Sequence, residues 1–166
     1  MIPTREQLLK LIPKNKEVIV RFSLWGGNND IVDTIKNDFA TVAIKQAKKY
    51  AHLFKGKDTF ETLNNIYQHL RMYYEKRLEL IGQDVISPNQ LIRQGWGNCK
   101  HFTMFTNAIL YNLGIPCGFR FVSYDSNHQP SHVYNITLDE KKNYCSMMPV
   151  LNYLIIRSRM SNLKMI

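Results

Sequence analysis

Cys99 is the residue of this chain best suited to covalent chemistry. It follows Gly95-Trp96-Gly97-Asn98 and opens an apolar-rich run, Cys99 to Leu113, closed by Gly114 and Pro116 in the order in which helices stop. A cysteine at the start of a helix meets unpaired backbone N–H groups and the positive end of the helix dipole. Both favour a thiolate, the nucleophilic form. The two preceding glycines permit a tight turn that presents the sulfur to a substrate and leaves the Cys99 N–H to help bind an oxyanion. To cycle, the nucleophile needs a proton carrier within hydrogen-bond reach, and a histidine on a neighbouring strand is the usual solution. His132 opens a strand-like run just after the polar stretch Asp125 to Ser131. Alone, a cysteine is commonly a small buried apolar side chain, and a lone strand histidine is commonly structural. It is their order along the chain that singles out the pair.

The elements that must position these residues follow from periodicity and stop signals. Residues 1–13 read as a short helix capped by Thr4 and stopped by Pro13, and Glu17 to Trp25 as a β-rich run ended by Gly26-Gly27-Asn28-Asn29. From Asp30 the period is helical, with Ile31, Ile35, Phe39, Val42 and Ala43, then Ala47, Tyr50 and Phe54, until Gly56. Asp58 and Glu61 form a capping box, and Phe60, Leu63, Ile66, Tyr67 and Leu70 make the apolar face of the next helix. Gly82 to Ser87 reads as a linker, and Ser87-Pro88 starts a short helix over Asn89 to Arg93. The Cys99 helix carries Phe102, Met104, Phe105, Ala108, Ile109 and Leu110 all round it, the mark of a buried helix. Three strands follow, Cys117 to Tyr124, His132 to Leu138 and Tyr144 to Leu151, the last two joined by Asp139-Glu140-Lys141-Lys142. His101 and His128 are expected on the solvent side, and His52 and His69 on helix faces without a role.

Composition narrows the classes. The chain has 166 residues, with 2 Trp, 9 Tyr and 8 Phe, too aromatic for a disordered chain and long enough for one domain or a core with a helical extension. No apolar run approaches the ~18 residues of a membrane span, and Lys14, Lys16, Glu17 and Arg21 interrupt any signal-peptide core, so a soluble, intracellular protein is expected. The other cysteines, Cys117 and Cys145, complete an odd set without a C-x-x-C pair. This argues against a disulfide framework or structural zinc, and both read as buried thiols. No His, Cys or acidic residues recur at metal-ligand spacing, so neither metal nor cofactor is expected. With 22 Lys+Arg against 13 Asp+Glu the net charge is +9. Lys45, Lys48, Lys49, His52, Lys55 and Lys57 form a basic stripe, and the tail adds Arg157, Arg159 and Lys164. Such a stripe can track phosphates, although a solvated face is the commoner outcome, and nucleic acid is a weakly supported partner.

Gly97-Asn98-Cys99 at a helix start, Leu113-Gly114-Ile115-Pro116, a strand, His132-Val133-Tyr134 and a second strand together resemble the transglutaminase-like superfamily with its papain-like core. The lead-in Ser87-Pro88-Asn89-Gln90-Leu91-Ile92-Arg93-Gln94-Gly95 is similar to that of small transglutaminase-like proteins of tailed-phage genomes. The resemblance covers about residues 85–151. It implies an α+β fold: a buried Cys helix plus a small antiparallel sheet, with a helical N-terminal half. The chain then divides into a mostly helical part over 1–84, a core over 85–156 and a basic tail over 157–166. The likeness further implies Cys99 as nucleophile and His132 as base, with Trp96 and Asn98 lining the oxyanion and substrate site. For Trp96 simple packing over the helix start is an equal reading. The implied activity is that of a cysteine hydrolase or acyltransferase acting on a peptide or protein amide, with no cofactor and no indication of calcium.

One position departs from the family pattern. Where the family places an Asp on the strand after the His strand, this chain reads Tyr144-Cys145-Ser146-Met147-Met148-Pro149, so the acid position falls on Met147 or Met148. A methionine can neither orient an imidazole nor stabilise an imidazolium. Two expectations follow: a weakened Cys99–His132 pair with Asn135, Ser146 or Asp125 standing in, or a catalytically inactive domain kept as a structural or binding component of a phage particle. In the second case virion proteins would be its partners, in the host cytoplasm or the virion.

Overall fold

The computed structural model describes residues 2–14, 19–22, 28–77, 83–124, 126, 131–148 and 153–154. Helix α1 (Arg5–Leu11) begins at Thr4, whose hydroxyl accepts the Gln7 N–H while the Gln7 side chain accepts the Thr4 N–H at 2.7 Å. Strand β1 is Ile19–Phe22. Helix α2 (Asn28–Asp38) passes through a π-helical turn, Phe39–Ala43, into α3 (Ile44–Ala47), and a 3₁₀ turn follows at Ala51–Phe54. The single helical period of the sequence is thus divided, and the irregular turns let Ile31, Ile35, Ala43, Ala47, Tyr50 and Phe54 all reach the core.

Helix α4 (Thr59–Tyr73) is capped by Asp58, whose carboxylate accepts the Glu61 N–H at 2.7 Å; Glu61 in turn accepts the Lys57 N–H at 2.6 Å. It buries Leu63, Ile66, Tyr67 and Leu70 as the period requires. Phe60 is a correction: it is 38% exposed, because in this first turn Thr59 and Thr62 face inward. Then come β2 (Glu75–Lys76), β3 (Gln83–Ile86), α5 (Pro88–Gln94), β4 (Trp96–Gly97) and α6 (Cys99–Asn112). The stretch expected as a linker is largely strand, since β3 pairs antiparallel with β1, Ile19 opposite Ile86 and Phe22 opposite Gln83. A partner so distant in sequence leaves no local signal.

The remaining strands, β5 (Cys117–Val122), β6 (His132–Leu138), β7 (Tyr144–Met148) and β8 (Tyr153–Leu154), form one antiparallel sheet in chain order. In β6 Val133, Asn135 and Thr137 are buried, and their partners on β7, Cys145 and Met147, share that row. Helix α6 is buried over eleven consecutive residues, Lys100 to Leu110, including the polar Thr103, Thr106 and Asn107. The architecture is the mixed one expected, a buried Cys helix on a small antiparallel sheet with helices before it. Among the described residues no helix is long and apolar enough to cross a membrane.

The N-terminal segment is tied to the core at two places. Arg5 donates from Nε to the Ile92 carbonyl at 2.7 Å and from its terminal nitrogen to the Arg93 carbonyl at 2.6 Å, satisfying the end of α5. His69, which the sequence placed on a helix face, is wholly buried among Phe54, Tyr73, Tyr74 and Phe105. Its Nδ1 lies 2.8 Å from the Pro3 carbonyl, which can only accept, so Nδ1 carries the proton and Nε2 accepts the Tyr74 hydroxyl at 3.2 Å.

Burial lowers the His69 pKa to about 4. The unfolded chain, with His69 near 6.5, binds a proton that the folded chain refuses, so this contribution to stability is complete above pH 6.5 and is lost as the pH falls toward 4. Urea unfolding should show a loss approaching about 3 kcal/mol over that window, much reduced in His69→Gln.

Candidate active site

The nucleophile loop is fixed before the nucleophile is reached. Gly95 ends α5 at φ +74°, donating its N–H to the Leu91 carbonyl, and a Cβ there would lie 2.9 Å from the Arg5 guanidinium carbon. Strand β4 then runs parallel to β2: the Glu75 N–H donates to the Gly95 carbonyl and the Arg77 N–H to the Gly97 carbonyl, each at 3.0 Å. Gly97 is required by close approach, since a Cβ would stand 2.9 Å from Leu91 Cδ1 and 3.2 Å from His101 Cβ. Trp96 is half-buried with the Arg77 guanidinium 5.1 Å from its ring centre, a cation–π packing contact.

Asn98 has the extended backbone of a helix cap, φ −132° and ψ −166°, and its carbonyl accepts the Phe102 N–H at 3.0 Å. Cys99 is therefore the first residue of α6, half-buried, with Thr103 one turn on along the same face. The Thr103 hydroxyl donates to the Val133 carbonyl at 3.2 Å. That bond ties the Cys99 face of the helix to the residue next to His132, so the helix start and the strand start are neighbours.

His132 pairs with Val122 at the head of β6 and is half-buried, its ring 6.0 Å from that of Tyr124 and 6.2 Å from that of Tyr134. It belongs to the row that alternates with the buried Val133, Asn135 and Thr137. Its Nε2 is buried and has no hydrogen-bond partner among the described residues, and no hydrogen bond there joins the ring to Cys99. Burial lowers the imidazole pKa below its ordinary value of 6.5, which favours the neutral ring, the form that can accept a proton, at physiological pH.

The register separates the two methionines. Met147 lies opposite Asn135 in the buried row, 1% exposed, and so is core filling rather than a neighbour of His132. Position 148 is the next residue along β7 and pairs with Tyr153 of β8. The stand-ins are also placed. Asn135 is in the buried row and accepts the Met147 N–H at 3.0 Å, while Ser146 lies opposite Ile136, well along the strand from His132. Neither can hold the His132 ring. Asp125 and His128 fall outside the described residues. Asp139 accepts the Lys141 and Asn143 N–H groups in the far turn, and Glu140 accepts the Thr59 N–H at 2.7 Å.

Two residues that the sequence reading did not use emerge beside the nucleophile. Thr103 is one; its signal was the four-residue spacing from Cys99. His101 is the other. Expected on the solvent side, it is 2% exposed, its Nδ1 accepting the Asn98 N–H at 3.2 Å and its Nε2 2.7 Å from the Asp84 carbonyl. Its position three residues after a capping Asn was the readable signal. The basic stripe lies exposed on α3 and the turns after it. Among the described residues no group of three or more His, Cys, Asp or Glu side chains is placed to hold a metal ion.

Residues 48–150 match the profile of the transglutaminase-like superfamily, more than half of the sequence. The chain belongs to that superfamily. The match starts upstream of residue 85 and takes in helix α4. None of the curated proteins matches the sequence significantly. The fold is similar to that of a candidate protease from Parabacteroides distasonis ATCC 8503, with TM-score 0.56 and 15% identity over 80% of this chain. It is also similar to a candidate cysteine protease from Cytophaga hutchinsonii, with TM-score 0.52 and 14% identity over 84% of this chain. The transglutaminase-like chain spans 30% and 52% of the lengths of those two proteins.

The three thiols should differ in reactivity. Burial pushes the Cys117 thiol up to about 11, leaving roughly one in ten thousand of it ionised at pH 7, and Cys145 is wholly buried. Iodoacetamide at pH 7 followed by peptide mapping should label Cys99 first; labelling of Cys117 at an equal rate would contradict the assignment.

Proposed function

We propose that the protein is a transglutaminase-like cysteine hydrolase or acyltransferase that acts on a peptide or protein amide through Cys99 and His132. The observation that supports this reading is the Thr103–Val133 hydrogen bond, which joins the helix one turn after Cys99 to the strand residue next to His132. Cys99 would attack the carbonyl carbon as a thiolate, with the N–H groups of the first turn of α6 receiving the charge that develops on oxygen. His132, neutral at rest, would take the thiol proton at Nε2 and return it to the departing amine, then activate the acceptor that cleaves the thioester. Hydrogen bonds of such pairs commonly tighten only around substrate.

With methionine at positions 147 and 148, no carboxylate among the described residues is hydrogen-bonded to the imidazole. In a serine triad, losing that group costs on the order of ten thousand-fold in turnover; a cysteine, already partly ionised, depends on it less. The same substitution, with the absence of a Cys99–His132 hydrogen bond, supports a second reading in which catalysis has lapsed and the domain acts by binding.

The substitutions Met148→Asp and Met147→Asp separate the two positions. Hydrolysis of a chromogenic peptide amide should rise at least about tenfold in Met148→Asp. Met147→Asp, which buries a carboxyl in the core, should instead destabilise the fold by several kcal/mol in urea unfolding. Loss of all hydrolysis in both Cys99→Ala and His132→Ala is expected. Wild-type turnover should also fall on the acid side below pH 6.5, as His132 becomes protonated. Activity that survives His132→Ala would exclude the pair, and no amide turnover by either wild type or Met148→Asp would favour the binding reading.

A further inference from the structure

We infer that His101 is a positioning residue for Cys99, capping the nucleophile helix with a neutral acceptor at a place where a carboxylate would oppose the thiolate. The inference rests on the reading of Cys99 as a nucleophile. His101 occupies the third position of α6, two residues after Cys99. Helices that begin with a capping side chain usually place Glu or Gln there, reaching back to the N–H of the cap residue. In this chain an imidazole fills that role, its Nδ1 accepting the Asn98 N–H at 3.2 Å.

The protonation state follows from the partners. The Asn98 N–H can only donate, so Nδ1 carries no proton; the Asp84 carbonyl, 2.7 Å from Nε2, can only accept, so Nε2 carries one. Both bonds together require the neutral ring, and a cationic ring would set two N–H groups against each other. The ring also links the start of α6 to strand β3, on which Asp84 lies. Gly97 makes room for it, because a Cβ at that position would approach Nδ1 to 3.3 Å. The backbone from Gly97 to Cys99 is thereby held at β3 as well as at β2, and the cap adds no charge.

A glutamate would accept the same Asn98 N–H. In an ordinary helix its charge would be welcome beside the positive end of the dipole. Here the dipole has a second claimant, and a carboxylate within the same turn as the sulfur disfavours a second anion. A glutamine supplies the acceptor without the charge. The helix cap and the thiolate therefore compete for one electrostatic resource, and His101 satisfies the first at no cost to the second.

The test is the rate of Cys99 alkylation by iodoacetamide from pH 5 to pH 9, located by peptide mapping, in wild type, His101→Gln, His101→Glu and His101→Leu. Thermal unfolding reports the fold of each. His101→Gln should keep the wild-type profile within about twofold. His101→Glu should reach half its plateau at a pH about one unit higher, so that alkylation at pH 6 is about tenfold slower. Coincident Glu and Gln profiles would overturn the inference. Should His101→Glu fail to fold, the comparison passes to His101→Leu, of similar size but without an acceptor: a profile shifted from wild type and restored by Gln supports the role, and one unchanged from wild type overturns it. These failures leave a reactive wild-type Cys99 in place. If wild-type Cys99 reacts no faster than Cys117, the nucleophile reading itself has failed and the inference falls with it.

Discussion

A largely buried helix must find partners for most of the polar groups it carries, and that requirement anchors α6 in this protein. In α6 the partners lie largely on the backbone of other elements. Thr103 donates to the Val133 carbonyl at 3.2 Å, Asn107 to the Gly118 carbonyl at 2.9 Å and Asn112 to the Ile44 carbonyl at 2.8 Å. Each bond is worth about 1 kcal/mol net, but leaving any of these buried groups without a partner would cost more. The bonds therefore fix the helix against β6, β5 and α3 at successive turns. The position of Cys99 is a by-product of this fixing, since a helix held along its length has its first residue held too.

The second constraint is electrostatic. The start of α6 offers N–H groups and a dipole, and the side chain that caps it is an imidazole rather than a carboxylate. His101 caps without charge, Met147 fills core space, and the two acids of the β6–β7 turn are occupied there, Asp139 by Lys141 and Asn143 and Glu140 by Thr59. His132 is held neutral by burial. Under the proposed reading, Cys99 and His132 would act as a thiolate–imidazole pair to which no described carboxylate is bonded, and His132 Nε2, without a hydrogen-bond partner among the described residues, is where proton exchange would occur.

Where local signals were strong, the sequence could be read. Thr4 and the pair Asp58 and Glu61 marked two helix starts, Gly114 and Pro116 marked the end of α6, and a strand-like run marked β6, because caps, stops and β-rich runs act within a few residues. What could not be read depends on distant partners. The pairing of β3 with β1 and the short parallel pairing of β2 with β4 leave no periodic trace in stretches of four and two residues. His101 was misplaced because helical periodicity gives a face but not a cap, and in a helix buried all round the face carries little information. Of the candidate site, Cys99 and its glycines could be read from residue types, whereas the choice between Met147 and Met148 needed the hairpin register.

The central claim is that Cys99 forms a thioester which His132 helps to resolve. Intact-protein mass spectrometry during reaction with an activated peptide ester measures this directly, with digestion to locate the adduct. The account predicts an acyl group on Cys99 that decays in wild type and persists at least about tenfold longer in His132→Ala, as expected when a general base is removed. An adduct on Cys117 or Cys145 in place of Cys99, or one on Cys99 with the same lifetime in both proteins, would contradict it.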